Sequence, residues 1–95
     1  VVVLSAMNGE TDRLIQLAKS IHPEPNSREY DMMVSTGEQV SISMLSIALL
    51  ARGCAARSFT GIQAGIRTDS SHKKARIVHI DPTRLQKELA AGRIP

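Results

Sequence analysis

A short polar segment, residues 5–12, has the composition of an anion-binding loop. It reads Ser-Ala-Met-Asn-Gly-Glu-Thr-Asp and lies between an apolar run and a stretch with helical periodicity. Free N–H groups at the start of a helix attract anions. Gly9 allows close approach to the backbone, and the Thr11 hydroxyl adds a hydrogen-bond donor. The same residues also fit an ordinary strand-to-helix turn capped by Thr11 or Asp12.

A second polar unit, residues 35–39, interrupts a helical pattern with Ser-Thr-Gly-Glu-Gln. Glycine inside a helix costs about 1 kcal/mol relative to alanine, so Gly37 either breaks the helix or admits close contact with its backbone. The adjacent Glu38 could hold a cation such as an ammonium group. The alternative is a solvated glutamate on an exposed helix face, without a binding role.

The remaining residues whose side chains could take part in catalysis or in ligand or metal binding form no recognised site. The sequence has neither G-x-G-x-x-G nor a Walker-type Gly-Lys-Ser/Thr, which excludes a P-loop and disfavours a dinucleotide site. The three histidines lack metal-ligand spacing. The Ser-x-x-Lys match at residues 70–73 lies in a polar loop, and the partner motifs of that site are missing. Cys54 is expected to be a small, unreactive residue that packs in the core.

The hydrophobic pattern predicts an α/β domain with the order β-α-α-β-β-α and a further strand beginning at Ile94. The predicted strands cover residues 1–4, 54–60 and 75–80. The predicted helices run from Thr11 or Asp12 to Ile21, from about 28 to 52 with a break at 36–37, and onward from Asp81-Pro82. We expect Ser27 to cap the second helix, Leu85 and Leu89 to face inward, and residues 61–74 to form a loop.

Composition narrows the classes of function. A net charge of +3 without a basic cluster, and only two aromatic residues, argue against nucleic-acid binding. The single cysteine excludes an internal disulfide and fits a reducing compartment. The longest uninterrupted apolar run, residues 47–51, is too short to cross a bilayer, and no segment reads as a signal peptide. We therefore expect a cytoplasmic protein that does not bind membranes.

Together these units resemble the aspartate kinases of the amino-acid kinase family. The resemblance extends in colinear order over nearly the whole chain. The matching stretches are residues 1–7, Thr11-Asp12, residues 28–39, 56–61, 63–69 and 75–78.

The resemblance implies a fold, a reaction and site residues. It implies part of a three-layer α/β sandwich with a mostly parallel central sheet, incomplete at both ends. The implied reaction is ATP- and magnesium-dependent phosphorylation of the side-chain carboxylate of L-aspartate, the first step towards lysine, methionine and threonine. By resemblance, Ser5 lies on the nucleotide side, whereas Thr11 and Glu38 bind the substrate aspartate. We expect no catalytic residue, metal ligand or bound cofactor within these residues alone.

The resemblance also implies that parts of the enzyme lie elsewhere. The Lys-x-Gly-Gly loop is expected upstream of Val1, and the Arg-Gly-Gly-Ser-Asp loop and ACT-type regulatory region downstream of Pro95. We thus expect residues 1–95 to be a partial catalytic domain without an ACT domain, inactive alone, from a homo-oligomeric parent. The alternatives are another amino-acid kinase, such as a glutamate or nucleoside monophosphate kinase, or a non-catalytic module that binds a small anion or a protein.

Overall fold

A computed structural model describes residues 1–95. Four helices and one two-stranded antiparallel hairpin make up the regular structure. In chain order they are α1 Glu10–Ile21, α2 Ser27–Val34, α3 Thr36–Ala51, β1 Ile66–Thr68, β2 Ile77–Ile80 and α4 Thr83–Ala90.

Helix α1 begins without a side-chain cap. Gly9 is its N-cap residue and has a φ of 77°, in the left-handed region that glycine adopts at little cost. The predicted capping by Thr11 or Asp12 is therefore wrong, because both residues already lie in the first helical turn. Leu14 and Ala18 are buried against the following helices, whereas Ile21 is 83% exposed.

Helices α2 and α3 follow each other with a break at Ser35, one residue before the predicted break. Asn26 caps α2, because its side chain accepts from the backbone N–H groups of Arg28 at 3.0 Å and Glu29 at 3.4 Å. The predicted cap, Ser27, is instead the first helical residue. The N-cap position thus lies one residue earlier than the sequence pattern suggested.

Three extended segments come together where the central sheet was predicted. Ala56 and Ile94 form a parallel bridge. The Arg57 N–H donates to the Ile94 carbonyl at 2.9 Å, and the Val2 N–H donates to the Pro95 carbonyl at 3.0 Å. Residues 94–95 therefore lie between the other two segments. The hydrogen-bonded stretches are too short to form regular strands, so the predicted strands 1–4 and 54–60 are reduced to these contacts.

Helix α3 packs one face on these extended segments. Its apolar side chains and those of the three segments surround a cavity of about 40 Å³. The helix residues on this face are Ile42, Leu45, Ser46 and Leu49, and the segment residues include Val2, Leu4, Phe59 and Ile94. A helix packed on neighbouring extended segments is the layering that an α/β domain requires.

The hairpin β1–β2 occupies part of the predicted loop 61–74. Ile66 pairs with Ile80, and β1 was missed because the surrounding residues have the composition of a loop. Gly65 precedes it with a φ of 89°, and a Cβ built there would lie 2.0 Å from the Asp81 carbonyl oxygen. Only glycine fits this close approach between the two ends of the hairpin.

Helix α4 begins after Asp81, whose carboxylate accepts from the Thr83 backbone N–H at 3.0 Å and the Thr83 hydroxyl at 2.6 Å. Leu85 is half-buried. Leu89 is 47% exposed, so its predicted inward orientation is wrong. The buried residue of this helix is Glu88, at 6% exposure.

Glu88 is buried because two arginines neutralise it, Arg93 just after the same helix and Arg57 from a distant segment. Its carboxylate pairs with Arg93 and, at 3.2 Å, with Arg57. The hydrogen bond from Arg93, followed by the charges of both arginines, holds the pKa of the Glu88 carboxyl below its usual range. These ion pairs join α4 to the segments that form the Ala56–Ile94 bridge.

The opposite face of α3 is apolar and exposed. Val40, Met44, Ile47 and Leu50 are 44–66% exposed. The stretch Ser27–Ala51 is long and apolar enough to cross a membrane by length and composition alone, because an 18-residue window within it has a mean hydropathy of 1.3. Charged residues before position 40 and serines after it divide this stretch into short apolar runs. Core helices of soluble proteins can have the same length and composition, but those are mostly buried, whereas 11% of this 18-residue window is buried.

Candidate functional site

Gly37 brings the two polar units together. A Cβ built on this buried residue would lie 3.1 Å from the Ala6 Cβ, 3.5 Å from the Glu10 Cγ and 3.5 Å from the Leu14 Cδ1. The start of α3 therefore packs directly on the loop 5–9 and on the first turns of α1. The sequence pattern predicted either a break or a close approach at Gly37, and the close approach is present.

The first turn of α1 presents free hydrogen-bond donors. The Glu10 N–H donates to the Met7 carbonyl and the Arg13 N–H to the Gly9 carbonyl, both at 3.0 Å. The N–H groups of Thr11 and Asp12 between them have no partner in the chain. Such groups carry the positive end of the helix dipole, so this turn can bind an anion.

The Thr11 side chain is also available. It is half-buried, and its hydroxyl makes no hydrogen bond within the chain. Thr11 therefore does not serve as the N-cap of α1, which was the structural alternative to ligand binding. A hydroxyl beside two free N–H groups can donate to the same anion.

Glu38 lies on the other side of the contact, one residue after Gly37. It is half-buried and forms neither a hydrogen bond nor an ion pair with any group of the chain. Partial burial of an unpaired carboxylate is costly, and a cationic ligand would offset that cost. Glu38 is thus an unpaired carboxylate that directly follows the residue packed on the loop 5–9 and on the start of α1.

Ser5 lies one residue before Ala6, the residue that contacts Gly37. Its side chain is exposed and has no hydrogen-bond partner in the chain. Ser5 therefore lies at the start of the loop against which α3 begins, and Thr11 lies two residues after the end of that loop, in the first turn of α1. All three predicted site residues thus belong to segments that meet at Gly37.

The negative charge of Glu10, beside this contact, is neutralised by the neighbouring Arg13. The Glu10 carboxylate accepts two hydrogen bonds from the Arg13 guanidinium, at 2.7 and 2.9 Å. The hydrogen bond from Arg13 lowers the pKa of the Glu10 carboxyl and raises that of the Arg13 guanidinium. Glu10 is therefore paired, whereas the carboxylates of Asp12 and Glu38 have no partner in the chain.

No cluster of three or more His, Cys, Asp or Glu side chains could hold a metal ion. The arrangement is suited to a small ligand that carries both an anionic group and a cationic group.

Comparison with known proteins assigns the family. The sequence model of the Amino acid kinase family matches residues 1–95. The chain belongs to the amino acid kinase family. The resemblance expected from the sequence motifs is thereby confirmed at the level of the family.

Curated members of the amino acid kinase family are highly similar to the chain. It is 60% identical over 94 residues to the aspartokinase of Pseudomonas aeruginosa and 53% identical to aspartokinase 2 of Bacillus subtilis. Each alignment covers 99% of this chain and 23% of the relative. The chain therefore spans about a quarter of the length of these relatives.

The solved structures agree with the family assignment. The crystal structure of aspartate kinase from Synechocystis superimposes with a TM-score of 0.78 at 46% sequence identity. The match covers 98% of this chain and 15% of that one. The predicted fold class, part of an incomplete α/β fold, is confirmed by this similarity.

Proposed function

We propose that this chain is the part of an aspartate kinase that binds the substrate aspartate. The reaction transfers the γ-phosphoryl group of ATP to the side-chain carboxylate of L-aspartate, with magnesium as the metal of the complete enzyme. The proposal is supported by relatives named aspartokinase at 50–60% identity and by the site at Gly37.

The packing of Gly37 on Ala6 is the observation that carries the proposal. It brings the segment that carries the unpaired Glu38 carboxylate against the segment that carries the free N–H groups of Thr11 and Asp12. Aspartate has an α-ammonium group and two carboxylates, so it matches both kinds of contact. Charge-assisted hydrogen bonds of this kind are stronger than neutral ones.

In the proposed mechanism, these residues position the substrate. Glu38 binds the α-ammonium group, and the Thr11 hydroxyl with the free N–H groups binds a carboxylate. The side-chain carboxylate is already ionised at neutral pH, so it needs no general base. One of its oxygens attacks the γ-phosphorus, the bond from that phosphorus to the β,γ-bridging oxygen breaks, and ADP leaves. Phosphoryl transfer depends mainly on positioning and charge neutralisation, and Ser5 is proposed to lie on the nucleotide side.

The broader setting is also part of the proposal. Residues 1–95 form part of a catalytic domain, without the ACT domain, in a cytoplasmic homo-oligomer that binds neither nucleic acid nor membranes. The product, aspartyl phosphate, enters the synthesis of lysine, methionine and threonine. The residues described here lack the phosphate-binding lysine and glycine loops, so the 95-residue chain alone is proposed to be inactive.

An acceptor panel tests the proposed function. The full-length natural protein that contains this chain is incubated with MgATP and with aspartate, glutamate or a nucleoside monophosphate, and ADP release is measured. We expect ADP release with aspartate and none with glutamate or the nucleoside monophosphate. Turnover with another acceptor would assign a different amino acid kinase activity, and no turnover with any acceptor would favour a non-catalytic binding module.

A further inference from the structure

The tip of the hairpin is fastened to helix α2 by Asp31. One carboxylate oxygen of Asp31 accepts the backbone N–H of Lys73 at 2.8 Å and lies 3.4 Å from the His72 Nδ1. The Lys73 ammonium lies 5.0 Å from the centre of the neighbouring Tyr30 ring. Three contacts thus join residues 30–31 to a turn about 42 positions later in the chain.

The hairpin needs such an anchor. Its strands have only three and four residues, and an isolated two-stranded hairpin is at best marginally stable in water. Its base is held where the Asp81 N–H donates to the Gly65 carbonyl at 3.0 Å. Residues 71–80 are otherwise exposed, so Asp31 supplies the main attachment at the other end.

Helix α2 transmits this attachment to the candidate site. The helix has no buried residue of its own, and it ends at Val34, one residue before the break at Ser35. Helix α3 then begins at Thr36 and places Gly37 against the loop 5–9. Helix α2 packs on α1, but none of its residues is fully buried, so a further contact that fixes α2 also fixes the start of α3.

We propose that Asp31 is a positioning residue, and that the hairpin β1–β2 acts as a strap which holds α2 so that Glu38 meets the substrate. The role of Glu38 rests on the proposed function. The strap itself is independent of that function, because it is defined by the contacts of Asp31 with the hairpin tip. The Ser-x-x-Lys match at residues 70–73 thereby has a structural role through His72 and Lys73.

The test combines hydrogen exchange with kinetics in the full-length natural protein. Asp31→Ala removes the anchor, and Asp31→Asn retains an oxygen that can accept the Lys73 N–H. Glu29→Ala is the matched control, since Glu29 is an exposed acid of the same helix that pairs only with Arg28. His72→Ala is a second variant in an exposed turn, where folding is little affected.

We expect Asp31→Ala to speed amide exchange in residues 69–76 by about three- to ten-fold, as for a lost hydrogen bond to a partly exposed charged group. The KM for aspartate should rise by a similar factor, with kcat and the KM for ATP nearly unchanged. Asp31→Asn should recover part of both effects, His72→Ala should reproduce the exchange effect more weakly, and Glu29→Ala should match the native protein.

Each contrary result has a distinct meaning. Unchanged exchange in both Asp31→Ala and His72→Ala would overturn the strap. Faster exchange with an unchanged KM for aspartate would overturn the positioning role. If Asp31→Ala fails to fold, the KM for aspartate is measured in His72→Ala instead, and an unchanged KM would overturn the positioning role. If the native protein shows no aspartate kinase activity, the proposed function fails, whereas the exchange measurements still test the strap.

Discussion

Gly37→Ala should separate the stability of the protein from its use of aspartate. The added Cβ would lie 3.1 Å from the Ala6 Cβ, whereas carbon atoms in ordinary contact lie about 3.5–4.0 Å apart. The start of α3 or the loop 5–9 must therefore move by about 0.4 Å or more. Neither the Glu10 nor the Leu14 contact, at 3.5 Å, adds to this strain.

The effect on folding should be small because two terms oppose each other. Alanine is favoured over glycine within a helix by about 1 kcal/mol, and overpacking typically costs about 1–3 kcal/mol. The free energy of unfolding should thus change by no more than about 2 kcal/mol. The site is less tolerant, since a misplacement of about 1 Å can cost about a hundred-fold in rate. A shift of about half that distance should lower kcat/KM for aspartate about ten-fold.

The assay is aspartate-dependent ADP release by the full-length natural protein, together with urea-induced unfolding. Ser43→Ala is the control, because Ser43 is an exposed residue of the same helix and its replacement also raises helix propensity. Ser43→Ala should retain native kinetics. Native aspartate kinetics in Gly37→Ala would refute the claim that this contact positions the site, and equal losses for aspartate and ATP would indicate general disruption instead.

Three further substitutions, one of them with a matched control, test other parts of the structure. Thr11→Val should weaken aspartate use by about 1.5–3 kcal/mol without changing the KM for ATP, as measured by steady-state kinetics; unchanged kinetics would remove Thr11 from the site. Gly65→Ala forces a left-handed backbone on alanine and a clash with the Asp81 carbonyl, so urea unfolding should show a loss of at least about 2 kcal/mol. Gly61→Ala, which points into open space, should be nearly neutral, and equal effects at the two glycines would contradict the packing. Glu88→Gln should be less stable than the native protein at pH 7, because the lowered pKa of Glu88 reflects stability that is present above about pH 4.3 and lost as the pH falls through the folded-state value. A stability difference that persists unchanged at pH 3 would contradict this explanation.

The sequence predicted best the features that depend on local pattern. The helical periodicity gave the helices within a few residues, and the break near Gly37 followed from a glycine within such a pattern. The segments that carry Ser5, Thr11 and Glu38 were singled out as polar units, and the structure brings these segments together. Their ligand-binding roles stay predictions until they are measured.

The sequence predicted less well what depends on distant partners. Glu88 was unremarkable beside the apolar Leu89, yet it is the buried residue because Arg57 and Arg93 meet it in space. Likewise, Asp31 gains its role only through a turn 42 positions away. No local pattern encodes such pairings.

Short elements and helix starts were the other source of error. Strand β1 has three residues within a segment rich in Gly, Ser and Thr, so it resembled a loop. The starts of α1 and α2 were each misjudged by one or two residues, because Gly9 and Asn26 can begin a helix as readily as the neighbouring hydroxyl and acidic residues. The predicted strands 1–4 and 54–60 form only a parallel bridge and single backbone hydrogen bonds with residues 94–95.

The kinetics of Glu38→Gln test the central claim most directly. This substitution keeps the size and hydrogen-bonding capacity of the side chain and removes its charge. In the full-length natural protein, kcat/KM for aspartate should fall by roughly ten- to a hundred-fold, equivalent to about 1.4–2.7 kcal/mol, with the KM for ATP and the unfolding transition nearly unchanged. If the variant unfolds, or if it loses aspartate and ATP binding alike, Glu38 is a structural residue and the assigned substrate site is wrong.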